Sequence, residues 1–207
     1  MYYQEIGNKT IRRGCMSRVK DVSKEVSQNV LHSLAEVNED KIEKVIDGIL
    51  KVDKIFTLGI GQSGLIGKIL AMKLAHLGFS SYVVGDVTTP SLGKNDLLIA
   101  ISQSGETSTI LTLVKKAKSA GGKVIAITSS PESTLSKIAD ISLVVPAKVE
   151  EVEFPVLSLL GDEKHRNMSG ALFGMNLFVL FYGIVCELAV RTDQSPQKID
   201  SRHANLE

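Results

Sequence analysis

Five short apolar runs constrain this chain more than anything else in it. They are residues 55–60 (IFTLGI), 82–84 (YVV), 96–102 (DLLIAIS), 123–128 (KVIAIT) and 141–145 (ISLVV). Strands without polar alternation are buried on both faces, which is the signature of a parallel sheet with helices packed on both sides. Between the runs lie segments with helical spacing. Residues 19–37 carry Val22, Val26, Val30, Leu31 and Leu34. Asn38 is placed to cap a second helix running to about residue 52, with Ile42, Val45, Ile46 and Ile49 inward. Further helices are predicted over 61–78, with Leu65, Ile69, Met72 and Leu77 on the apolar side, over 107–120, and over 133–139. Gly78 and the pair Gly121-Gly122 are natural stops. In such sheets ligands sit outside the carboxyl ends of the strands. The loops after Ile60, Val84, Ser102 and Thr128 are therefore where chemistry is expected.

The charge balance narrows the partners. Lys and Arg number 24 and Asp and Glu 23, a formal charge of +1, too little basic excess for a chain that lives on nucleic acid. Cys15 and Cys186 form no CxxC and no metal-ligand spacing, so no metal is expected. Residues 171–190 are apolar except for Asn176 and Glu187. The uncharged run stops at Cys186, short of the roughly 20 residues a span needs, so it reads as a core or subunit-interface helix rather than a membrane anchor. The first 18 residues are expected to be a disordered or non-native extension, with Met16 as a candidate natural start, and residues 19–207 a single domain. The polar first residues lack an apolar central stretch, and a cytoplasmic chain is expected.

Two loops compete to define the ligand. Gly59-Ile60-Gly61-Gln62-Ser63-Gly64 matches the dinucleotide fingerprint between a strand and a helix, and Asp86 follows the second strand where a ribose-binding acid would lie. An NAD(P)-dependent oxidoreductase is thus one reading. The second loop, Ile101-Ser102-Gln103-Ser104-Gly105-Glu106-Thr107, also ends a strand and opens a helix. Ser102, Ser104 and Thr107 set three hydroxyls around a turn at the positive end of that helix, a cradle of neutral donors suited to a phosphate monoester. A dinucleotide fold has no need of this second nest. The plainer alternative is that Ser104 and Thr107 only cap the helix. Thr128-Ser129-Ser130 offers a third wall.

Together these motifs resemble the SIS (sugar isomerase) family. The resemblance rests on the glycine loop at 59–64, on ISQSGET at 101–107, and on AIT at 126–128 followed by STLSKIAD at 133–140. The segment AMKLAHLGF at 71–79, the loop VGDVTTP at 84–90 and the terminal RHANLE at 202–207 are similar to those of 6-phospho-3-hexuloisomerases. That resemblance implies a three-layer αβα sandwich with a five-stranded parallel sheet, a homo-oligomer (tetramer or dimer), no cofactor and no metal. It implies interconversion of a 3-hexulose 6-phosphate and fructose 6-phosphate through an enediol. Substrate contacts are expected from Gly61, Gln62, Ser63, Ser102, Gln103, Ser104, Thr107 and Thr128. The chain departs from the family pattern at Gln62, usually Arg, at Asp86, usually Glu, and at Gly174 or Met175, where a Glu is the usual candidate base. His203 and Glu106 are the expected catalytic substitutes, with Glu153 and His165 further candidates and His76 read as a packed histidine. Without a base, the chain would be a phosphosugar-binding sensor.

Overall fold

The computed structural model describes residues 10–147 and 166–205. Five strands, β1 (Ile55–Leu58), β2 (Ser81–Val83), β3 (Leu97–Ile101), β4 (Lys123–Thr128) and β5 (Ile141–Val144), form one sheet in the order β2-β1-β3-β4-β5. All pairings are parallel, in register Ile55↔Ser81, Ile55↔Leu97, Leu97↔Lys123 and Ile125↔Ile141. The expected α/β sandwich is thus the observed architecture. Its order is not the 3-2-1-4-5-6 of dinucleotide-binding sheets but the other doubly wound order.

Strand alternation splits the interior into two cores. Ile55, Leu97, Ile99, Ile101, Ile125, Ile127 and Leu143 point one way. They meet α2 (Glu39–Leu50), α3 (Gln62–His76), α6 (Arg166–Arg191) and the end of α1 (Thr10–Ala35). Phe56, Leu58, Leu98, Ala100, Val124 and Ala126 point the other way, toward α4 (Ser108–Ser119) and α5 (Thr134–Ile138). Among the described residues the second face carries two helices, because residues 84–96, joining β2 to β3, form none. A short helix α7 (Pro196–Asp200) follows α6.

Local signals explain several boundaries. Asn38 accepts from the N–H of Lys41 at 3.0 Å, as a cap should. Other expectations need correction. In α3 the buried residues are Ile66, Leu70, Ala71 and Leu74, whereas Leu65 and Met72 are exposed. Gly67 faces inward beside Thr57 and Ile101, where a Cβ would make ordinary contacts. α1 begins at Thr10, nine residues before the periodic stretch that announced it. Residues 149–164, with Glu153, and His165 lie outside the described residues.

Helix α6 is not buried all round. Its Gly170–Arg191 stretch has a mean hydropathy of 1.9 over its most apolar window and is long and apolar enough to cross a membrane. Yet Phe173, Leu177, Leu180, Phe181, Ile184 and Leu188 belong to the sheet's core. Buried Asn176 donates to the Pro146 carbonyl at 2.7 Å. The outer stripe of Met175, Phe178, Val179 and Tyr182 is exposed in the single chain, at 40–47%.

Candidate active site

Sheet order fixes where a ligand can enter. From β1 the chain crosses to β2 on one side, and from β3 to β4 on the other. The loops after these adjacent strands diverge and leave a crevice at their carboxyl ends. Residues 59–64 flank it on one side and residues 102–107 on the other.

The β3–α4 loop is a closed, internally braced turn. Ser102, 4% exposed, shares a hydrogen bond between its Oγ and Thr107 Oγ1 at 3.0 Å and accepts from the Gly105 N–H at 3.2 Å. Ser104 Oγ accepts from the Glu106 N–H at 3.2 Å. Thr107 holds the N-cap position of α4, but its side chain makes no capping bond. The capping alternative therefore fails for the residue best placed to cap. The first N–H groups of α4 have no partner within the helix. A helix start of this kind, with its positive end, can hold an anion.

Gly105 locks this turn. It has φ +65°, in the left-handed region, and a Cβ there would collide with the Oγ and Cβ of Ser133. Thr128 is fully buried, donates to the Gln103 carbonyl at 2.8 Å and accepts from the Ser130 N–H at 3.1 Å. Its hydroxyl braces two loops rather than facing the crevice. Glu106 is similarly engaged: its carboxylate accepts from the Thr134 N–H at 2.6 Å, at the first turn of α5. That hydrogen bond holds the carboxyl below its ordinary range, away from the poise a base needs near neutrality.

The glycine loop owes its outer glycines to packing. A Cβ on Gly59 would lie 2.7 Å from the Ser63 carbonyl carbon, and one on Gly64 would lie 2.8 Å from the Gly59 oxygen. Only Gly61, with φ +60°, faces open space. Three glycines here do not demand a pyrophosphate. Asp86 lies 3.3 Å from Lys68 Nζ as an exposed ion pair. Gln62 and Ser63 open α3 beside Gly61, and the Gln62 side chain reaches across to α6 at Gly174. Gln103 reaches the same helix at Gly170.

His203 is elsewhere. Its ring packs against His76 with centroids 4.1 Å apart and the ring planes tilted by 45°, and its Nδ1 lies 3.8 Å from Asp200. The neighbouring Arg202 donates to the His76 carbonyl at 3.1 Å and to Gln194 Oε1 at 2.8 Å. Gln62 and His76 are the two ends of α3. A 15-residue helix is roughly 22 Å long, so His203 sits far from its own chain's crevice. Sequence reasoning brought Ser102, Ser104, Gly105 and Thr107 together correctly and missed the Gln62–Gly174 contact, for which one sequence carries no signal. It also missed α7, although Ser195-Pro196 is a readable cap with proline in the first turn.

The SIS domain family profile matches residues 48–161, more than half of the chain. A 3-hexulose-6-phosphate isomerase of Bacillus subtilis is 35% identical over 180 residues, covering 86% of this chain and 94% of its own. One of Methanocaldococcus jannaschii is 38% identical over 168 residues, covering 81% and 85%. A crystal structure of a hypothetical protein of Methanococcus jannaschii, said to infer a molecular function of 3-hexulose-6-phosphate isomerase, matches with a TM-score of 0.75. It is 35% identical, over 90% of this chain and 99% of that one. The sheet order, the braced loop and likeness along nearly the whole of these relatives agree, and the chain belongs to the SIS domain family.

Proposed function

We propose that this chain is a cytoplasmic phosphosugar isomerase that interconverts a 3-hexulose 6-phosphate and fructose 6-phosphate. The carrying observation is the uncapped start of α4: Thr107 turns its hydroxyl to Ser102 instead of to its own helix. Ser104, Thr107 and the first N–H groups of α4 then hold the phosphate. The relatives named 3-hexulose-6-phosphate isomerase support the same substrate class.

The reaction is an internal oxidation and reduction. A proton leaves C2, the electron pair forms a 2,3-enediol, and a proton returns at C3, so no external oxidant enters. It needs a group able to move protons near pH 7. Glu106 is held below its ordinary range and serves as a clamp between the β3–α4 and β4–α5 loops. His203 is the better proton carrier by chemistry, and in this reading it serves a neighbour's crevice, since it lies far from its own. The working form is then a homo-oligomer, a tetramer in our reading. Covering the exposed stripe of α6 favours such assembly by roughly 1 kcal/mol per large apolar side chain.

A turnover assay on a panel of ketose and aldose phosphates tests this. His203→Gln should lower turnover of the active substrate by about 10²–10⁴-fold, with affinity for the phosphate ester little changed. Full turnover by that variant removes His203 from the chemistry. One observation favours a second reading, a sensor that binds a phosphosugar without converting it: the loop's own carboxylate is engaged by Thr134. Binding without any turnover by the wild type would establish it.

A further inference from the structure

Gln62 is the first residue of α3 and follows Gly61 at the mouth of the crevice. Its side chain packs against α6 at Gly174. A Cβ at Gly174 would stand 2.6 Å from Gln62 Nε2, 2.7 Å from its Cδ and 3.1 Å from its Cγ. The first two separations are closer than real side chains tolerate, so a side chain at position 174 would displace the amide from this seat, a move the flexible Gln62 chain allows. The arrangement recurs one turn earlier, where a Cβ at Gly170 would lie 3.4 Å from Gln103 Oε1. Residues four apart share a helix face, so the two amides lie side by side, about 6 Å apart along the axis. Gln103 belongs to the phosphate loop, which places Gln62 beside the bound ester rather than under it. No hydrogen bond to another described residue engages the Gln62 carboxamide.

A carboxamide offers two donors and an acceptor on one rigid plane. A phosphate dianion accepts only, and the carbonyl end of an amide would face it unfavourably. Sugar hydroxyls both donate and accept, and they suit an amide. We infer that Gln62, seated on Gly174, is a specificity-determining residue that reads the hydroxyls of the bound sugar phosphate. The inference rests on the phosphosugar reading above and adds to it a contact beyond the phosphate. Gly174 acts through Gln62 as a positioning residue, by leaving the space the amide occupies.

Calorimetric titration with inorganic phosphate and with fructose 6-phosphate separates the two layers. The proteins are the wild type, Gln62→Ala, Gly174→Ala and the double variant. Each single change should weaken fructose 6-phosphate binding about fivefold, the factor that one net hydrogen bond is worth, and leave inorganic phosphate affinity unchanged. The double variant should be no weaker than either single, because both remove the same contact. Gln62→Ala alters an exposed side chain and keeps the test standing should Gly174→Ala fail to fold. Equal loss for both ligands would make Gln62 a phosphate ligand, and no loss for either would make it a bystander; both overturn the inference. Additive losses would show that Gly174 does not act through Gln62. A wild type that binds neither ligand overturns the phosphosugar reading itself, and the inference with it.

Discussion

Alanine at position 105 should cost the β3–α4 loop its shape. Gly105 has φ +65°, a conformation that costs an L-residue about 1–2 kcal/mol. The added methyl would also run into Ser133 and lie 3.2 Å from Thr128 Oγ1. Ser133 cannot swing aside cheaply. Its Oγ donates to the Ser130 carbonyl at 2.8 Å and accepts from the Ser136 N–H at 3.3 Å, capping α5. Relief needs a backbone shift, for which overpacking costs typically about 1–3 kcal/mol. The sum is about 2–5 kcal/mol, or roughly 4–20 °C in Tm for a domain of this size. Differential scanning fluorimetry with and without fructose 6-phosphate reads both consequences: a lower Tm, and loss of the ligand-induced rise that specific binding gives. Gly85 supplies the control, since its φ is +104° but a Cβ there meets nothing within 4 Å. Gly85→Ala should cost only the backbone share. If Gly105→Ala keeps both the wild-type Tm and the wild-type ligand shift, the account of the loop as a locked turn is wrong.

If the proposed oligomer packs through the outer stripe of α6, Phe178→Glu should lower the mass read by light scattering while far-ultraviolet dichroism is unchanged, because Phe178 is exposed on that stripe; an unaltered mass would refute the stripe as an interface. Glu43 forms a bidentate pair with Arg191 at 2.6 Å through each oxygen, and that hydrogen-bonded pairing depresses its pKa. A depressed carboxylate stabilises the fold above its unfolded pKa, and the contribution is lost as pH falls through the folded value. Glu43→Gln should therefore melt below the wild type near neutrality, and the two should converge on acidification. A gap that widens in acid contradicts the sign.

The strands were legible because buried parallel strands carry almost no polar interruption: the run 123–128 coincides with β4, and 96–102 and 141–145 overrun β3 and β5 by only a residue or two. The orientation of α3 was not legible. Its LIGKILAMKL core is apolar nearly all round, so spacing alone could not choose between the face of Leu65 and Met72 and the face of Ile66, Leu70 and Leu74. The observed face turns Ile66, Gly67, Leu70 and Leu74 inward, with Gly67 beside Thr57 and Ile101. In the site, residues contiguous in sequence were found and residues joined by tertiary contact were not. Ser102 and Thr107 lie on one turn, whereas Gln62 meets Gly174 only after α6 packs along α3. The place of His203 depends on Arg202 finding Gly78 and the His76 carbonyl at the far end of α3.

That last contact bears on how the protein should be handled at the bench. A Cβ on Gly78 would be 3.1 Å from the Arg202 guanidinium carbon, so the guanidinium lies close over bare backbone and is tied to two further partners. A purification tag or fluorescent fusion added after Glu207 would begin five residues beyond His203. A polyhistidine tag would bring rival imidazoles within a short stretch of chain of the His76–His203 ring contact. Kinetic work belongs on protein that carries no tag or fusion near His203.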